Sequence, residues 1–136
     1  MQLNPYLVFN GQCKEAFTFY AQVLGGKIES MQTHGESPMR EQAPPEWRDS
    51  ILHAHLVVDD QVLLGSDSPP APYEQPKGFS VSLSVDNPAE ADRIFQALAA
   101  GGTVQMPIQQ TFWASRFGML TDRFGIPWMV NCEQPA

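Results

Sequence analysis

This sequence predicts an α+β fold made from two copies of one β-α-β-β-β module, and two observations carry that prediction. The first is an internal repeat. Residues 4–26, NPYLVFNGQCKEAFTFYAQVLGG, read as strand, turn, amphipathic helix and diglycine stop, and residues 80–102, SVSLSVDNPAEADRIFQALAAGG, read the same way in the same order. The diglycines Gly25-Gly26 and Gly101-Gly102 set the offset at 76 residues (101 minus 25), pairing Asn4 with Ser80, Tyr6 with Ser82 and Phe19 with Phe95. The second observation is that each copy runs on into extended, β-rich sequence with no second helix. Neither half of 136 residues is long enough to bury a core alone. A single domain over 1–136 is therefore expected, with the first module at 1–67, a Pro-rich linker at 68–78 and the second module at 79–136.

The first strand, about 3–9, ends at the turn signal Asn10-Gly11. Ala16, Phe17, Tyr20, Val23 and Leu24 follow at helical spacing and form an apolar stripe suited to a sheet face, and Gly25 can supply the left-handed residue that stops the helix. A second strand is expected from Lys27 to about Gln32. Residues 34–49, rich in proline and charge, read as a long excursion, the kind of loop that serves as a lid or stays disordered. Alternation over 50–58 places Ile51, His53, His55 and Val57 on one strand face and Leu52, Ala54, Leu56 and Val58 on the other. Asp59-Asp60 turns the chain into a fourth strand, 62–66. The four prolines of 67–78 suit neither helix nor central strand.

In the second module FSVSLSV sets Phe79, Val81, Leu83 and Val85 on one face and Ser80, Ser82 and Ser84 on the other. Asn87-Pro88 supplies an N-cap and a first-turn proline, and Ile94, Phe95, Leu98 and Ala99 form the helix stripe. Strands are expected at 103–106, 113–121 and 126–132, with Asp122 to Gly125 as the last tight turn.

Composition narrows the function classes. Eight basic against 15 acidic residues leave a net charge of −7 with no Lys/Arg cluster, which disfavours nucleic acid and anionic membranes and favours a neutral or cationic small ligand. No apolar run is long enough for a membrane span, and MQLNPYLVF lacks the basic and apolar regions of a secretory signal. Two cysteines, Cys13 and Cys132, make neither a disulfide scaffold nor a metal pattern, and reduced thiols in the cytoplasm are expected. An acidic surface with three tryptophans in so small a chain fits a partly apolar interface between subunits.

PYLVFNG at 5–11, HAHLVVDDQVLLGSD at 53–67 and MPIQQTFWASRFGMLTDRFGIPWMVN at 106–131 together resemble the glyoxalase/bleomycin-resistance/dioxygenase (vicinal oxygen chelate) superfamily. The match is to its PhnB-like branch, often labelled a 3-demethylubiquinone-9 3-methyltransferase domain. That resemblance implies half-barrel sheets with helices on the convex face and a site on the concave face. Such half-barrels bury a seam between subunits, and together with the three tryptophans this makes a homodimer the expectation. It also implies a divalent metal held from the first and last strand of each module. Carried over, those positions fall on Asn4 or Pro5, within Leu64-Gly65-Ser66, on Ser80 and on Met129, none of them a strong donor for such a metal. No metal and no cofactor is therefore expected. No strand runs through a Gly-rich turn into a helix, as a nucleotide-type pocket for a methyltransferase would need.

His53 and His55, at i and i+2 on one strand, are the candidate catalytic pair, able to exchange protons or contact a ligand near neutral pH. As metal ligands they would need a third donor, for which Asp67 and Glu29 come forward; they can equally be polar residues lining a wet cavity. Tyr6, Ser80 and Ser82 are expected on one cavity wall, with Met129 and Asn131 on the inward face of the last strand. Trp113 offers an aromatic wall for a flat or cationic ligand, whereas Trp128, of opposite parity to Met129, is expected to pack outward under a helix or at a subunit contact. Cys13 sits at a helix start, where a thiol can be acidified, though a structural role is the simpler reading. Arg116 is the one basic candidate for an anion. The chain reads as a glyoxalase-like enzyme without the usual metal, or as a metal-free protein that sequesters a small ligand.

Overall fold

Two four-stranded mixed sheets, each with one helix on one face, make up the computed structural model, which describes residues 1–38, 40–68 and 73–133. The chain divides into a unit of Met1–Glu74 and a unit of Gln75–Ala136. The boundary falls within the proline-rich segment 68–78, of which residues 69–72 lie outside the described residues.

The N-terminal unit runs β1 (Tyr6–Phe9), α1 (Cys13–Leu24), β2 (Lys27–Thr33), β3 (Ile51–Val58) and β4 (Gln61–Asp67), with sheet order β1-β4-β3-β2. β1 lies parallel to β4 and the other pairs are antiparallel. α1 ends as its sequence requires, at Gly25 with φ +70°. Its start differs from a self-capped helix. Gln12 gives no side-chain cap, and the Cys13 N–H donates instead to the Asp67 carboxylate at 2.9 Å. Cys13, Ala16, Phe17, Tyr20 and Val23 form its buried stripe. The Phe17 ring lies over Gly65 of β4, where an added Cβ would come within 2.8 Å of it. The described residues of the excursion 34–49 hold three single 3-10 turns. The Gly35 N–H donates to the Arg48 carbonyl at 2.8 Å, and a reciprocal Thr33–Glu36 capping box closes the entry.

Strict alternation fails at the start of β3. The β2–β3 register shifts between Gln32 and Thr33, so Leu52 is an extra residue, and Ile51 is 1% exposed rather than sharing the face of the histidines.

The C-terminal unit runs β5 (Val81–Val85), α2 (Pro88–Ala99), β6 (Thr103–Gln109), β7 (Ala114–Thr121) and β8 (Pro127–Glu133), in order β5-β8-β7-β6 with β5 parallel to β8. Asn87 caps α2 through the N–H groups of Ala89 and Glu90, and Pro88 opens it. Ala91, Ile94, Phe95 and Leu98 are buried. Phe95 sits over Gly118 of β7 as Phe17 does over Gly65, so the ring matching Phe95 by contact is Phe17 and not Phe19. β5 is shorter than FSVSLSV suggests. Phe79 precedes it and is 49% exposed, because the edge ladder begins only at the Val81–Trp128 pair. β6 runs on to Gln109 through Pro107, which an edge strand tolerates.

Candidate functional site

Register decides which side chains meet on the sheet face turned away from each helix. In the N-terminal unit Leu7, Gly65 and Ala54 share the α1 side, as the Phe17–Gly65 approach shows. The next row over, on the opposite face, is Ser30, His55, Leu64 and Tyr6, one residue from each of the four strands. His53 projects from the same face and pairs with Gln32. Its ring centroid lies 6.4 Å from that of Tyr6. Tyr6 is 47% exposed, His53 is exposed and His55 is half-buried. A phenol and two imidazoles thus share a wet surface, able to donate and accept hydrogen bonds to one small molecule.

In the C-terminal unit Gly118 and Val130 face α2. The opposite face presents Ser82, Met129, Met119 and Met106 in one row, and Ser84, Asn131, Phe117 and Gln109 in the next. Trp113 lies just before β7, 48% exposed, its ring 5.4 Å from Phe117 and 4.8 Å from Phe112. Ser80, expected beside Ser82, falls one residue before β5 and is half-buried. Trp128 is 1% exposed on the helix side, and its indole N–H donates to Asp122 at 2.9 Å. Sequence reading missed Met106, Met119 and Phe117. Pairing the hairpin strands on either side of Asp122–Gly125 would have aligned Met119 with Met129.

The positions onto which the resemblance would carry a metal hold an amide or proline, the stretch Leu64 to Ser66, a serine hydroxyl and the Met129 thioether. That donor set does not fit a hard or borderline divalent cation. Asp67 does not join the histidines. It is buried, and its carboxylate accepts the Cys13 N–H at 2.9 Å and the Ile51 N–H at 2.8 Å. Glu29 is exposed at the bulge between Ile28 and Ser30. Among the described residues no three His, Cys, Asp or Glu side chains come together as a metal cluster.

Two further candidates are taken up by structure. Burial, reinforced by the Asp67 carboxylate, pushes the Cys13 thiol far above its ordinary range, the reverse of an acidified helix-start cysteine. Arg116 pairs with Asp92 of α2 at 3.1 Å and donates to the Ser115 carbonyl, so it is engaged on the helix side. No helix among the described residues is long and apolar enough to cross a membrane.

A family model described as 3-demethylubiquinone-9 3-methyltransferase matches residues 1–131. Protein YjdN from Escherichia coli (strain K12) is 36% identical over a 146-residue alignment that takes in 100% of this chain and 99% of that protein. The solved structure of protein PA1353 from Pseudomonas aeruginosa is 57% identical, with 99% of each chain covered and a TM-score of 0.92. The PhnB protein from Bacillus cereus is 22% identical over 97% of this chain and 99% of that one, with a TM-score of 0.82. At the level of fold alone, a glyoxylase/bleomycin resistance protein/dioxygenase domain from Frankia sp. EAN1pec is 14% identical, covers 98% of both chains and gives a TM-score of 0.65.

Proposed function

We propose a function that starts from family membership: the chain belongs to the 3-demethylubiquinone-9 3-methyltransferase family, within the glyoxalase/bleomycin-resistance/dioxygenase fold group. On this reading it is a glyoxalase-like protein of the cytoplasm that takes a small organic molecule on the open face of its N-terminal sheet. It acts by proton transfer through His53 or His55, without the metal that superfamily enzymes employ. The observation that carries the reading is the row of Ser30, His55, Leu64 and Tyr6 with His53 beside it, a phenol and two imidazoles on one exposed face. One imidazole removes a proton from the bound molecule, and the Tyr6 hydroxyl donates a hydrogen bond to the oxygen where negative charge collects. The C-terminal unit, taken by itself, offers Ser82, Asn131, Met129 and Trp113 as ligand contacts on the open face of its own sheet.

Methyl transfer from a nucleotide-type cofactor has less support. The Cys13 N–H of α1 is held by Asp67, and the Ala89 and Glu90 N–H groups of α2 are held by Asn87. Those helix-start amides are already spent.

A second reading, sequestration without chemistry, is favoured by Trp113 against Phe117 beside the methionines, and by a net charge of −7 that suits a cationic ligand. Both readings include a homodimer, supported by exposed Val8, Phe79, Val104 and Phe112 and checked by a scattering mass twice the 15.1 kDa chain.

The test is a thermal-shift ligand screen followed by His53→Ala and His55→Ala. Each variant should stay within about 0.5 kcal/mol of the parent in stability, because a wet surface site leaves little unsatisfied. Turnover of the ligand by the parent, lost in either variant with binding retained, supports the enzyme. Binding without turnover supports sequestration. Variants that bind and turn over like the parent sink the histidine site.

A further inference from the structure

We propose that Met106, Met119 and Met129 form a soft-cation site that takes one Cu(I) ion. Three of the chain's six methionines stand in direct cross-strand register on β6, β7 and β8, through the pairs Met106–Met119 and Met119–Met129. All three are half-buried on the face opposite α2, and Ser82 of β5 closes the row. Met119 and Met129 lie in an unbroken antiparallel ladder, where directly opposed Cβ atoms are about 4.5–5.5 Å apart, and Met106 pairs with Met119 between two register shifts of β6. Flexible thioethers at that spacing can reach one ion, with Met119 in the middle sharing it with its neighbours.

The donor chemistry names the occupant. Thioether sulfur is neutral and polarisable, so it selects Cu(I) over Mg or Mn, which prefer oxygen, and over Zn, which prefers imidazole or thiolate. No charged side chain stands in the row, while the overall charge of −7 favours cation approach. Phe117, two residues from Met119 on the same face, and Trp113 beside it bring two aromatic rings to the neighbouring row. The rival soft donors are poorly placed. Cys13 and Cys132 are buried, and burial holds the Cys13 thiol in its protonated form.

The experiment titrates the whole chain, methyl-labelled on methionine, with Ag(I) as an oxidation-inert stand-in. Cu(I) affinity is then measured under argon by competition with a chromogenic chelator. One equivalent of Ag(I) should shift the three row methyls and leave Met31 unmoved. Met119→Leu, a volume-conserving change, should keep the fold and weaken Cu(I) binding by more than about 10-fold, since loss of even an outer-shell partner costs about 10–100-fold. Thioethers do not titrate, so affinity should stay flat from about pH 7 to about pH 5, where imidazole sites lose their metal. Unmoved row methyls at one equivalent, unchanged affinity in Met119→Leu, or affinity that collapses toward pH 5 would each overturn the site. His53→Ala and His55→Ala should bind Cu(I) like the parent, so this proposal and the proton-transfer reading fail separately.

Discussion

In the N-terminal unit the sheet face turned away from α1 carries two imidazoles and a phenol; in the C-terminal unit the face turned away from α2 carries thioethers, hydroxyls and an amide. The helix sides are far more alike. Each has an aromatic ring seated on a strand glycine, Phe17 on Gly65 and Phe95 on Gly118, and each unit holds one buried aspartate that accepts backbone N–H groups. A dry interface tolerates little change in volume, so both copies keep the same solution there. The open faces carry no such constraint and are free to differ in chemistry. That contrast is the ground on which we propose function for the open faces and stability for the helix sides.

The buried aspartates should give the largest effects. Asp122 accepts from the Phe124 and Ile126 N–H groups and the Trp128 indole, whereas Asp67 accepts from the Cys13 and Ile51 N–H groups. Asp122→Ala should cost more than about 3 kcal/mol, since each bond to a charged acceptor is worth about 1.5–3 kcal/mol. Asp67→Ala should cost less than Asp122→Ala. Urea melts at unchanged m-value measure both, and an equal or reversed order would break the comparison.

Next come the glycine seats. An alanine Cβ at Gly118 would lie 2.6 Å from the Phe95 ring and 3.0 Å from the Ile108 Cα, and one at Gly65 would lie 2.8 Å from the Phe17 ring and 3.0 Å from the Leu7 carbonyl oxygen. In each case a backbone atom blocks escape, so each change should cost about 1–3 kcal/mol. Phe95→Leu should recover part of the Gly118→Ala loss, and Phe17→Leu part of the Gly65→Ala loss, because the smaller side chain relieves the ring contact. Parent-like thermal stability in both single variants would show that the helices slide to make room, and the shared rule would fall.

The smallest effect is confined to alkaline pH. The Cys13 thiol is raised by burial, so above the ordinary thiol value of about 8.5 the unfolded chain releases a proton that the folded chain keeps. Its contribution is fully present below that value and is lost as pH rises toward the folded value, at up to about 1.4 kcal/mol per pH unit. Cys13→Ala should flatten this alkaline slope while leaving the slope below about pH 8 unchanged. An identical slope in the variant would rule out Cys13 as its source.

Local sequence determined the element order of both modules. Apolar stripes at helical spacing, Gly25 as the left-handed stop of α1, the left-handed Gly101 just past the Ala100 cap of α2, and Asn87-Pro88 as a helix start act over neighbouring residues, so they can be read without knowing the fold. Parity likewise separated His53 and His55 from Ala54 and Leu56, and Met129 from Trp128. Tertiary structure alone decided what those faces hold in common. The parallel pairing of β1 with β4 and of β5 with β8 brings Tyr6 to the row of His55, and Ser82 to that of Met129. The bulge at Leu52 moved Ile51 away from the histidines, and the side of Asp67 turned a candidate ligand into a helix cap. The methionine row emerged only when β6, β7 and β8 were set side by side. The physical reason is range. Alternation along one strand is a local property, whereas register between strands follows from long-range pairing and from single extra residues that no periodicity announces.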